Sequence, residues 1–235
     1  MDISNILTAD YIYNLARGPL VWISLLICII GSVARTLQLL SYTRTKKIDE
    51  KADLSSIGKK PPAKKFSLKD LPDLVASLKH TILAVSPVTI LVSLCFHICL
   101  IIVPVFLLAH NILIEDAVGF SLFSFSEAFS DGLTFVFLLC GLFFLSRRIF
   151  LPRVRAITTL YDYVVLLITV APFLTGFLAY YQVFDYKTMI ILHMLAGELM
   201  LVSIPFTKIF HMFFFFVGRF LLVNQHTIGK GSRTW

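Results

Sequence analysis

The stretch that decides the fold is residues 189–223, MIILHMLAGELMLVSIPFTKIFHMFFFFVGRFLLV, which is apolar for longer than a bilayer is thick. His193 and His211 lie eighteen residues apart within it. At about 100° per residue, eighteen residues make five whole turns, so an uninterrupted helix would place both imidazoles on one side. A rise of about 1.5 Å per residue separates them by roughly 27 Å, close to the thickness of the hydrocarbon core. The spacing therefore predicts one histidine near each face of a membrane.

The composition of the whole chain is that of an integral membrane protein. Hydrophobic residues make up 57% of the 235 residues and charged residues 15%, with a mean hydropathy of +0.85. A single soluble core of this size cannot bury so much apolar surface. We therefore predict an all-α membrane protein with a bundle of five transmembrane helices in one membrane domain. The predicted spans are residues 20–40, 88–112, 128–145, 161–181 and 189–223.

The placement of Lys and Arg predicts the orientation of these spans. Basic residues concentrate in residues 42–85, in residues 147–155 and in the C-terminal tail. The loops on the other side contain only Arg17 and Lys187, together with several acidic residues. Because cytoplasmic loops carry the excess of basic residues, we expect the N-terminus outside and the C-terminus in the cytoplasm. The expected location is the inner (cytoplasmic) membrane of a prokaryote, crossed several times.

The basic loop of residues 42–85 contains two different segments. Its centre, Lys59-Lys60-Pro61-Pro62-Ala63-Lys64-Lys65, cannot form a helix. A short amphipathic helix at the inner membrane surface is predicted after it. Its apolar stripe is Phe66, Leu68, Leu71, Leu74, Val75 and Leu78. Two interpretations stay open: an anchor on membrane lipid, and a docking platform for a cytoplasmic subunit.

The four cysteines restrict the kinds of metal chemistry available to the chain. Cys28, Cys95, Cys99 and Cys140 all lie in apolar stretches, and none belongs to a CxxC pair. This pattern argues against structural zinc, an iron–sulfur cluster or a redox dithiol within the chain. The chain also has no CxxCH motif, so any haem would be non-covalent and of the b type.

A second pair of intramembrane histidines, His97 and His110, lies in the second predicted span. Ionisable residues inside a membrane are costly and usually functional, and neutral imidazole is the usual axial ligand of haem iron. The second span runs outward and the fifth inward, which pairs His110 with His193 near the outer face and His97 with His211 near the inner face. The sequence thus predicts four axial ligands for two haem b groups. The alternative is hydrogen-bonded packing histidines.

The spacing of His97 and His110 fits this arrangement less well than that of the other pair. Thirteen residues correspond to about 20 Å and about 220° of rotation on an ideal helix, so the two rings would face different sides. Pro104 lies between them, and Pro205 lies between His193 and His211. Each proline removes a backbone hydrogen bond and can bend or re-phase its helix.

Small and charged neighbours suggest further contacts with the haems. Gly197 and Gly218 share the ligand face and would let a flat macrocycle approach the backbone, although small residues also serve helix packing. Arg35 and Lys208 are candidates for pairing with propionates of the inner haem, or for snorkelling to the interface. His80 and His226 are not assigned to haem.

Acidic residues suggest where protons are handled. Glu198 lies in the fifth span, and Glu127 and Asp131 begin the third span at the outer face. Because oxidation of a quinol releases protons, a quinone pocket near the outer haem is predicted between Glu127, Asp131 and Tyr180. The alternative for Glu127 and Asp131 is the general preference for acids at a helix N-terminus. Glu198 would carry protons or pair with a Lys or a hydroxyl.

The spans and histidine pairs resemble a known family, the gamma-subunit-like dihaem cytochromes b of respiratory nitrate reductase. The resemblance rests on the gap between His193 and His211 and on the stretches Phe96-His97-Ile98 and Ala109-His110, which are more widely separated here than in nitrate reductase. The amino-acid sequence resembles the membrane cytochrome b of the transmembrane (Tmc) complexes of sulfate reducers more than it resembles the nitrate reductase subunit. The segments that carry this likeness are FHICLIIVPVFLLAHN (96–111), RRIFLPRVRAITTLYDY (147–163), PFLTGFLAY (172–180) and residues 193–211.

The resemblance implies a function in respiration. It implies two haems b, electron exchange with menaquinone, a cytoplasmic iron–sulfur partner of the heterodisulfide reductase type and, as an option, a periplasmic multihaem cytochrome c. We therefore predict a subunit that transfers electrons across the membrane and is active only within a complex. No nucleic acid partner is expected. The alternative is a membrane anchor or transporter module without haem, and a third possibility keeps the haems but omits the quinone.

Overall fold

The structure is a computed structural model that describes the backbone of residues 3–54 and 86–214, and the side chains of residues 9–41 and 86–214. Within these ranges every regular element is a helix and no strand occurs, which confirms the predicted all-α class. Several sequence predictions concern residues outside these ranges. They are the amphipathic helix after residue 65, the end of the fifth predicted span, and the residues His80, Gly218 and His226.

The described helices lie in two ranges of the chain, residues 3–54 and residues 86–214. They are α1 (Ile3–Leu15), α2 (Val21–Leu54), α3 (Pro87–Phe106), α4 (Leu108–Val118), α5 (Glu127–Phe150), α6 (Pro152–Arg155), α7 (Leu160–Tyr180) and α8 (Tyr186–Ser203). A π-helical turn, Ala16–Leu20, containing Pro19, joins α1 to α2. Two short 3-10 turns, Ile204–Phe206 and Lys208–Phe210, follow α8.

Five helical segments in the described ranges are long and apolar enough to cross a membrane, by length and composition. They are Ala9–Ser41, Pro87–Phe106, Glu127–Phe150, Leu160–Tyr180 and Tyr186–Phe206. Large apolar side chains on these segments are widely exposed, among them Leu26, Leu91 and Leu167. Such surfaces are typical of helices that face lipid. The described residues thus contain the five long apolar helices that were predicted for a multi-pass membrane protein.

The chain divides into two units: Met1–Ser24 with Ser86–Met200, and Leu25–Val85 with Leu201–Trp235. In the first unit α5 packs between α3 and α7. Arg147 at the end of α5 donates from Nη1 to Thr89 Oγ1 at the start of α3, over 2.5 Å. Tyr163 near the start of α7 donates its hydroxyl proton to the Arg148 carbonyl over 3.2 Å. Both contacts join the end of α5 to the start of a neighbour, so the three helices alternate in direction.

An aromatic stack forms the centre of the first unit. The ring of Phe137 on α5 is fully buried. It stacks against Phe96 of α3 at 4.4 Å and against Phe173 of α7 at 3.9 Å between ring centroids. Cys99 and Cys140 fill the space beside the stack. Close ring packing of this kind is what holds helices together where lipid removes the hydrophobic driving force.

The second predicted span is not one continuous helix. Helix α3 ends at Phe106, Leu107 is extended (φ −70°, ψ 128°), and α4 begins at Leu108. His97 therefore lies on α3 and His110 on α4, and the rotation expected from thirteen residues of ideal helix does not apply to them. Pro104 in the last turn of α3 lacks an N–H and weakens this end of the helix.

The fifth predicted span is interrupted in the same way. Helix α8 ends at Ser203, Pro205 lies in the first 3-10 turn, and Thr207 is extended (φ −118°, ψ −178°). Thr207 then caps the second turn by accepting the Ile209 N–H at 3.2 Å. Over residues 189–214 the predicted continuous helix is thus divided into α8, two short 3-10 turns and a helical segment that begins at His211, and the five-turn argument for His193 and His211 does not hold. The physical cause is again a proline without a backbone donor.

In the second unit, α2 contacts the turn that follows α8. A Cβ at Gly31 of α2 would lie 2.7 Å from Pro205 Cβ, closer than side chains tolerate. Pro205 is fully buried, and Ile204, Ile209 and Phe210 are buried beside it in the chain. Glycine at position 31 therefore permits the close approach of α2 to this turn.

Candidate functional site

The interruption between α3 and α4 positions His110. The last carbonyls of a helix have no partner in a following turn, and at the end of α3 three of them receive other donors. His110 Nδ1 lies 2.9 Å from the Pro104 carbonyl oxygen, and Asn111 Nδ2 donates to the Val105 oxygen over 3.2 Å. The Phe125 N–H donates to the Phe106 oxygen over 3.0 Å. The local break in the helix thus fixes the imidazole ring.

Asn111 ties the following loop to the same point. Its side chain is 1% exposed. Besides the Val105 oxygen, Nδ2 donates to Ser124 Oγ over 3.0 Å, and Oδ1 accepts the Leu122 N–H at 3.3 Å. A buried amide that uses both its donors and its acceptor is a strong local constraint. Asn111 was not identified from the sequence, because its role depends on a helix break that the apolar pattern conceals.

His193 of α8 is held by the neighbouring helix α7. Its Nδ1 lies 2.8 Å from the carbonyl oxygen of Pro172. A Cβ at Gly176 would lie 2.9 Å from that Nδ1 and 3.0 Å from Cε1, so only glycine leaves room for the ring. Pro172 and Gly176 lie in the PFLTGFLAY segment noted in the sequence, although neither was identified there as a site residue.

His110 and His193 form a pair. Their ring centroids are 5.9 Å apart, and their planes are 21° from parallel. A carbonyl oxygen only accepts hydrogen bonds, so each Nδ1 carries the proton and each Nε2 keeps its lone pair. Within residues 86–214 neither Nε2 makes a hydrogen bond. The structure therefore brings together two imidazoles in the tautomer that binds a metal through Nε2.

The pair has the dimensions of a bis-imidazole metal site. Bonds of about 2.0 Å from each nitrogen to the metal, plus about 1 Å from nitrogen to ring centre, give centroids about 6 Å apart. Within residues 9–41 and 86–214, no group of three or more His, Cys, Asp or Glu could hold a metal ion. Two protein ligands suffice only for a metal that brings its other ligands with it, as haem iron does. The residues present fit haem.

Gly197 provides space beside the pair. It lies one helical turn beyond His193, and a Cβ built there would meet no atom within 4 Å. The open space at Gly197 contrasts with Gly176, where a Cβ would meet the His193 ring. A flat ligand can therefore approach α8 at Gly197.

His97 and His211 each bond through Nδ1 to a backbone carbonyl of their own segment. His97 Nδ1 lies 2.6 Å from the Ser93 carbonyl oxygen, and His211 Nδ1 lies 2.6 Å from that of Lys208. His97 belongs to the first unit and His211 to the second, so each is described by itself. The side chains of Arg35 and Lys208, both in the second unit, are exposed. The pairing of His97 with His211 and the propionate contacts stay predictions.

The acidic residues at the start of α5 have different surroundings. Glu127 is exposed in the first turn, where an acid is favourable for the helix dipole. Asp131 is half-buried and accepts the hydroxyl proton of Tyr181 over 2.5 Å. This hydrogen bond raises the pKa of Tyr181 above its usual value. Tyr180, the residue predicted from sequence, contacts the Tyr181 ring edge-on at 5.2 Å.

Two hydrogen bonds and an ion pair fix the beginning of α8, the helix that carries His193. Asp185 accepts hydrogen bonds from the Thr188 N–H at 2.9 Å and hydroxyl at 2.7 Å. These bonds lower the pKa of the Asp185 carboxyl. Lys187 forms an ion pair with Asp10 of α1.

Comparison with known proteins places the chain beside one bacterial relative. It is 35% identical over 225 residues to a protein of Nitratidesulfovibrio vulgaris strain Hildenborough, covering 94% of this chain and 96% of that protein. The description of that relative is the single word "Protein" and states no activity. No family model matches the chain. No solved structure matches it either.

Proposed function

We propose that this chain, which belongs to the same family as the Nitratidesulfovibrio vulgaris protein, is a dihaem b-type cytochrome subunit of a respiratory membrane complex. The observation that carries the proposal is the His110–His193 pair. Both rings are held through Nδ1 by a proline carbonyl, at a centroid distance of 5.9 Å that suits one metal between them. The outer haem would be held by this pair and the inner haem by His97 and His211.

The proposed function needs an oriented protein. We assign the N-terminus to the outer side and the C-terminus to the cytoplasm, since basic residues concentrate in residues 42–85 and 147–155. In this orientation His193, near the start of α8, belongs to the outer half of the membrane. The location is the cytoplasmic membrane of a prokaryote.

The chain's own residues would position the redox centre and leave space at Gly197 of α8. When bound, haem supplies one-electron oxidation and reduction. The carbonyls of Pro104 and Pro172 fix the histidine tautomer, which increases the basicity of Nε2 toward a metal. Gly176 lets His193 approach α7, and Gly197 leaves room for the macrocycle. Each charge moved across the membrane is worth about 2.3 kcal/mol per 100 mV, which couples the transfer to the membrane potential.

Menaquinone is the proposed exchangeable electron donor or acceptor, near the outer haem. Glu127, Asp131 and Tyr180 bound the proposed pocket, and Tyr181 joins them because it hydrogen-bonds to Asp131. A carboxylate in contact with a phenol offers a proton acceptor and a donor where quinol oxidation releases protons. The proposed pocket would lie beside the Asp131–Tyr181 hydrogen bond, which joins the start of α5 to the residue that follows α7.

The proposed partners are redox subunits. A cytoplasmic iron–sulfur subunit of the heterodisulfide reductase type would dock on the basic face, and a periplasmic multihaem cytochrome c is the proposed partner outside. The origin of the relative in a sulfate reducer is in keeping with the resemblance to Tmc complexes. Membrane lipid surrounds the exposed apolar faces.

A pyridine haemochrome assay on the purified chain tests the proposal. We expect two haems b per polypeptide, and one after either His110→Ala or His193→Ala. The double variant His110→Ala/His193→Ala should also retain one, because both residues serve the same haem. His97→Ala combined with His110→Ala should retain none.

His226→Ala is the matched control, since this histidine lies outside the apolar spans. It should leave two haems per polypeptide. A protein that carries no chromophore, with histidine variants of unchanged stability, would support the alternative of a haem-free anchor or transporter module. Reduction of the purified protein by a menaquinol analogue separates the quinone-linked function from one supplied only by a periplasmic cytochrome.

A further inference from the structure

A buried acid lies in the middle of the fifth span. The Glu198 side chain on α8 is 6% exposed. Within the described residues, neither carboxyl oxygen has a hydrogen-bond partner. In the same ranges it forms no ion pair, and no charged or polar side chain lies within hydrogen-bond distance of its carboxyl oxygens.

The other described acids have ordinary surroundings. Some are exposed and others bind a hydroxyl, an N–H or a lysine. The exposed ones are Glu115, Asp116 and Glu127; the bonded ones are Asp10, Asp131, Asp162 and Asp185. Glu198 thus differs from them in being both buried and without a partner among the described residues.

A packing role does not account for this residue. An ionised carboxylate without a partner in an apolar interior is so unfavourable that the group takes up a proton instead. Leucine or methionine would fill the same volume without that penalty. A buried polar group that makes no bond to protein is explained by water, an ion or a role in chemistry, and an intramembrane carboxyl is typical of proton transfer.

The position of Glu198 relates it to the candidate haem site. It follows His193 by five residues, about 7.5 Å along the axis of α8. At about 10 Å and an effective dielectric constant of about 20, one charge changes the proton affinity of a carboxylate by at least about tenfold. An electron arriving at a metal held by His193 would therefore favour protonation of Glu198.

We infer that Glu198 is a proton-exchanging carboxylic acid: it is protonated when no charge lies near it, it releases its proton when the His110–His193 centre carries the positive charge of an oxidised metal, and it takes the proton up again when an electron arrives there. The inference rests on the proposed function and deepens it. The electron comes from the quinol or the redox partner, and the proton comes from water. The negative charge of the electron is thereby compensated inside the membrane.

The first test does not need haem. A hydrophobic carbodiimide, N,N′-dicyclohexylcarbodiimide, adds to protonated carboxyls in apolar surroundings, and the modified peptide is identified by mass spectrometry. We expect labelling of Glu198 in the full chain, in the wild type and in His110→Ala, and none of the exposed Glu115. Absence of label at Glu198 in the folded protein, across the accessible pH range, would overturn the inference.

The second test measures potential. The midpoint potential of the outer haem should fall as pH rises, by up to about 59 mV per tenfold change in proton concentration. Glu198→Gln should flatten this dependence, Glu198→Asp should restore it, and Glu115→Gln should leave it unchanged. Equal slopes in wild type and Glu198→Gln would refute the link. A chain without haem but with labelled Glu198 would instead refute the proposed function.

Discussion

Gly176 on α7 lies directly against the imidazole of His193, and a methyl group at position 176 would stand 2.9 Å from Nδ1. The same ring is bonded to the Pro172 oxygen, four residues earlier on α7. One turn of α7 therefore provides both the acceptor that orients the ring and the space that admits it. This arrangement makes the candidate site sensitive to a very small change on a helix that contributes no ligand.

Gly176→Ala should displace His193 and remove the outer haem. The methyl group cannot fit without moving the ring, which breaks the bond to Pro172 and misdirects Nε2. We expect the haem content to fall to about half of the wild-type value, measured by pyridine haemochrome. Gly132→Ala on α5 is the control, because a Cβ there meets no atom within 4 Å. Full haem content in Gly176→Ala would contradict this geometry.

Gly197→Leu should reduce haem binding by occupying space rather than by moving a ligand. The added side chain meets no protein atom near the Cβ, so the helix should fold, and the hydrogen bonds of His110 to the Pro104 carbonyl and of His193 to the Pro172 carbonyl should remain. If a macrocycle approaches α8 here, the variant binds haem at least about tenfold more weakly, since overlap with a bulky side chain costs more than 1.4 kcal/mol. Haem titration of the apoprotein measures this. Unchanged affinity would place the macrocycle elsewhere.

The sequence predicted the five spans because their apolar runs are long and separated by charged or turn-forming loops. It also identified His110 and His193. It did not predict the break at Leu107 or the end of α8 at Ser203, because a proline in an apolar run is compatible with a bend, a re-phased helix or a stop. The argument from five helical turns failed for this reason, although His110 and His193 do come together.

The contacts that orient the histidines could not be predicted from the sequence either. Pro172 and Gly176 act through a backbone carbonyl and an absent side chain, and neither leaves a chemical signature in the sequence. Tyr181 was passed over for Tyr180 because a shift of one residue rotates a helical side chain by about 100°. Only the packing of α7 on α5 decides which of the two reaches Asp131.

The Asp131–Tyr181 bond should give the protein a component of stability that depends on alkaline pH. The pKa of Tyr181 is raised because its phenol donates to Asp131. The neutral phenol is favoured in the folded state, so this contribution is complete below the unfolded pKa of about 10 and is lost as pH rises through the higher folded value.

Thermal unfolding in detergent between about pH 8 and about pH 11 measures this loss. Tyr181→Phe should show a shallower decrease in Tm than the wild type. Tyr180→Phe should keep most of the wild-type decrease, since the exposed Tyr180 does not bond to Asp131 and its charge acts on Tyr181 less than that hydrogen bond does. Identical pH profiles for wild type and Tyr181→Phe would show that the bond contributes nothing to folding.

Asn111→Ala should destabilise the protein and loosen His110 at once. The substitution removes the buried amide and leaves the Leu122 N–H, the Val105 carbonyl and the Ser124 hydroxyl, which are part-buried, without that partner. Fully buried groups without a partner cost about 1–3 kcal/mol in the free energy of unfolding, so we expect a loss near the lower end of that range. Because Asn111 and His110 bond to consecutive carbonyls at the end of α3, the outer haem should also dissociate more readily.

Asn14→Ala, at an exposed position on α1, should change neither property. A stable Asn111→Ala variant that loses the outer haem would separate the two effects, whereas a stable variant with both haems would mean that the ring of His110 is held by the Pro104 carbonyl alone.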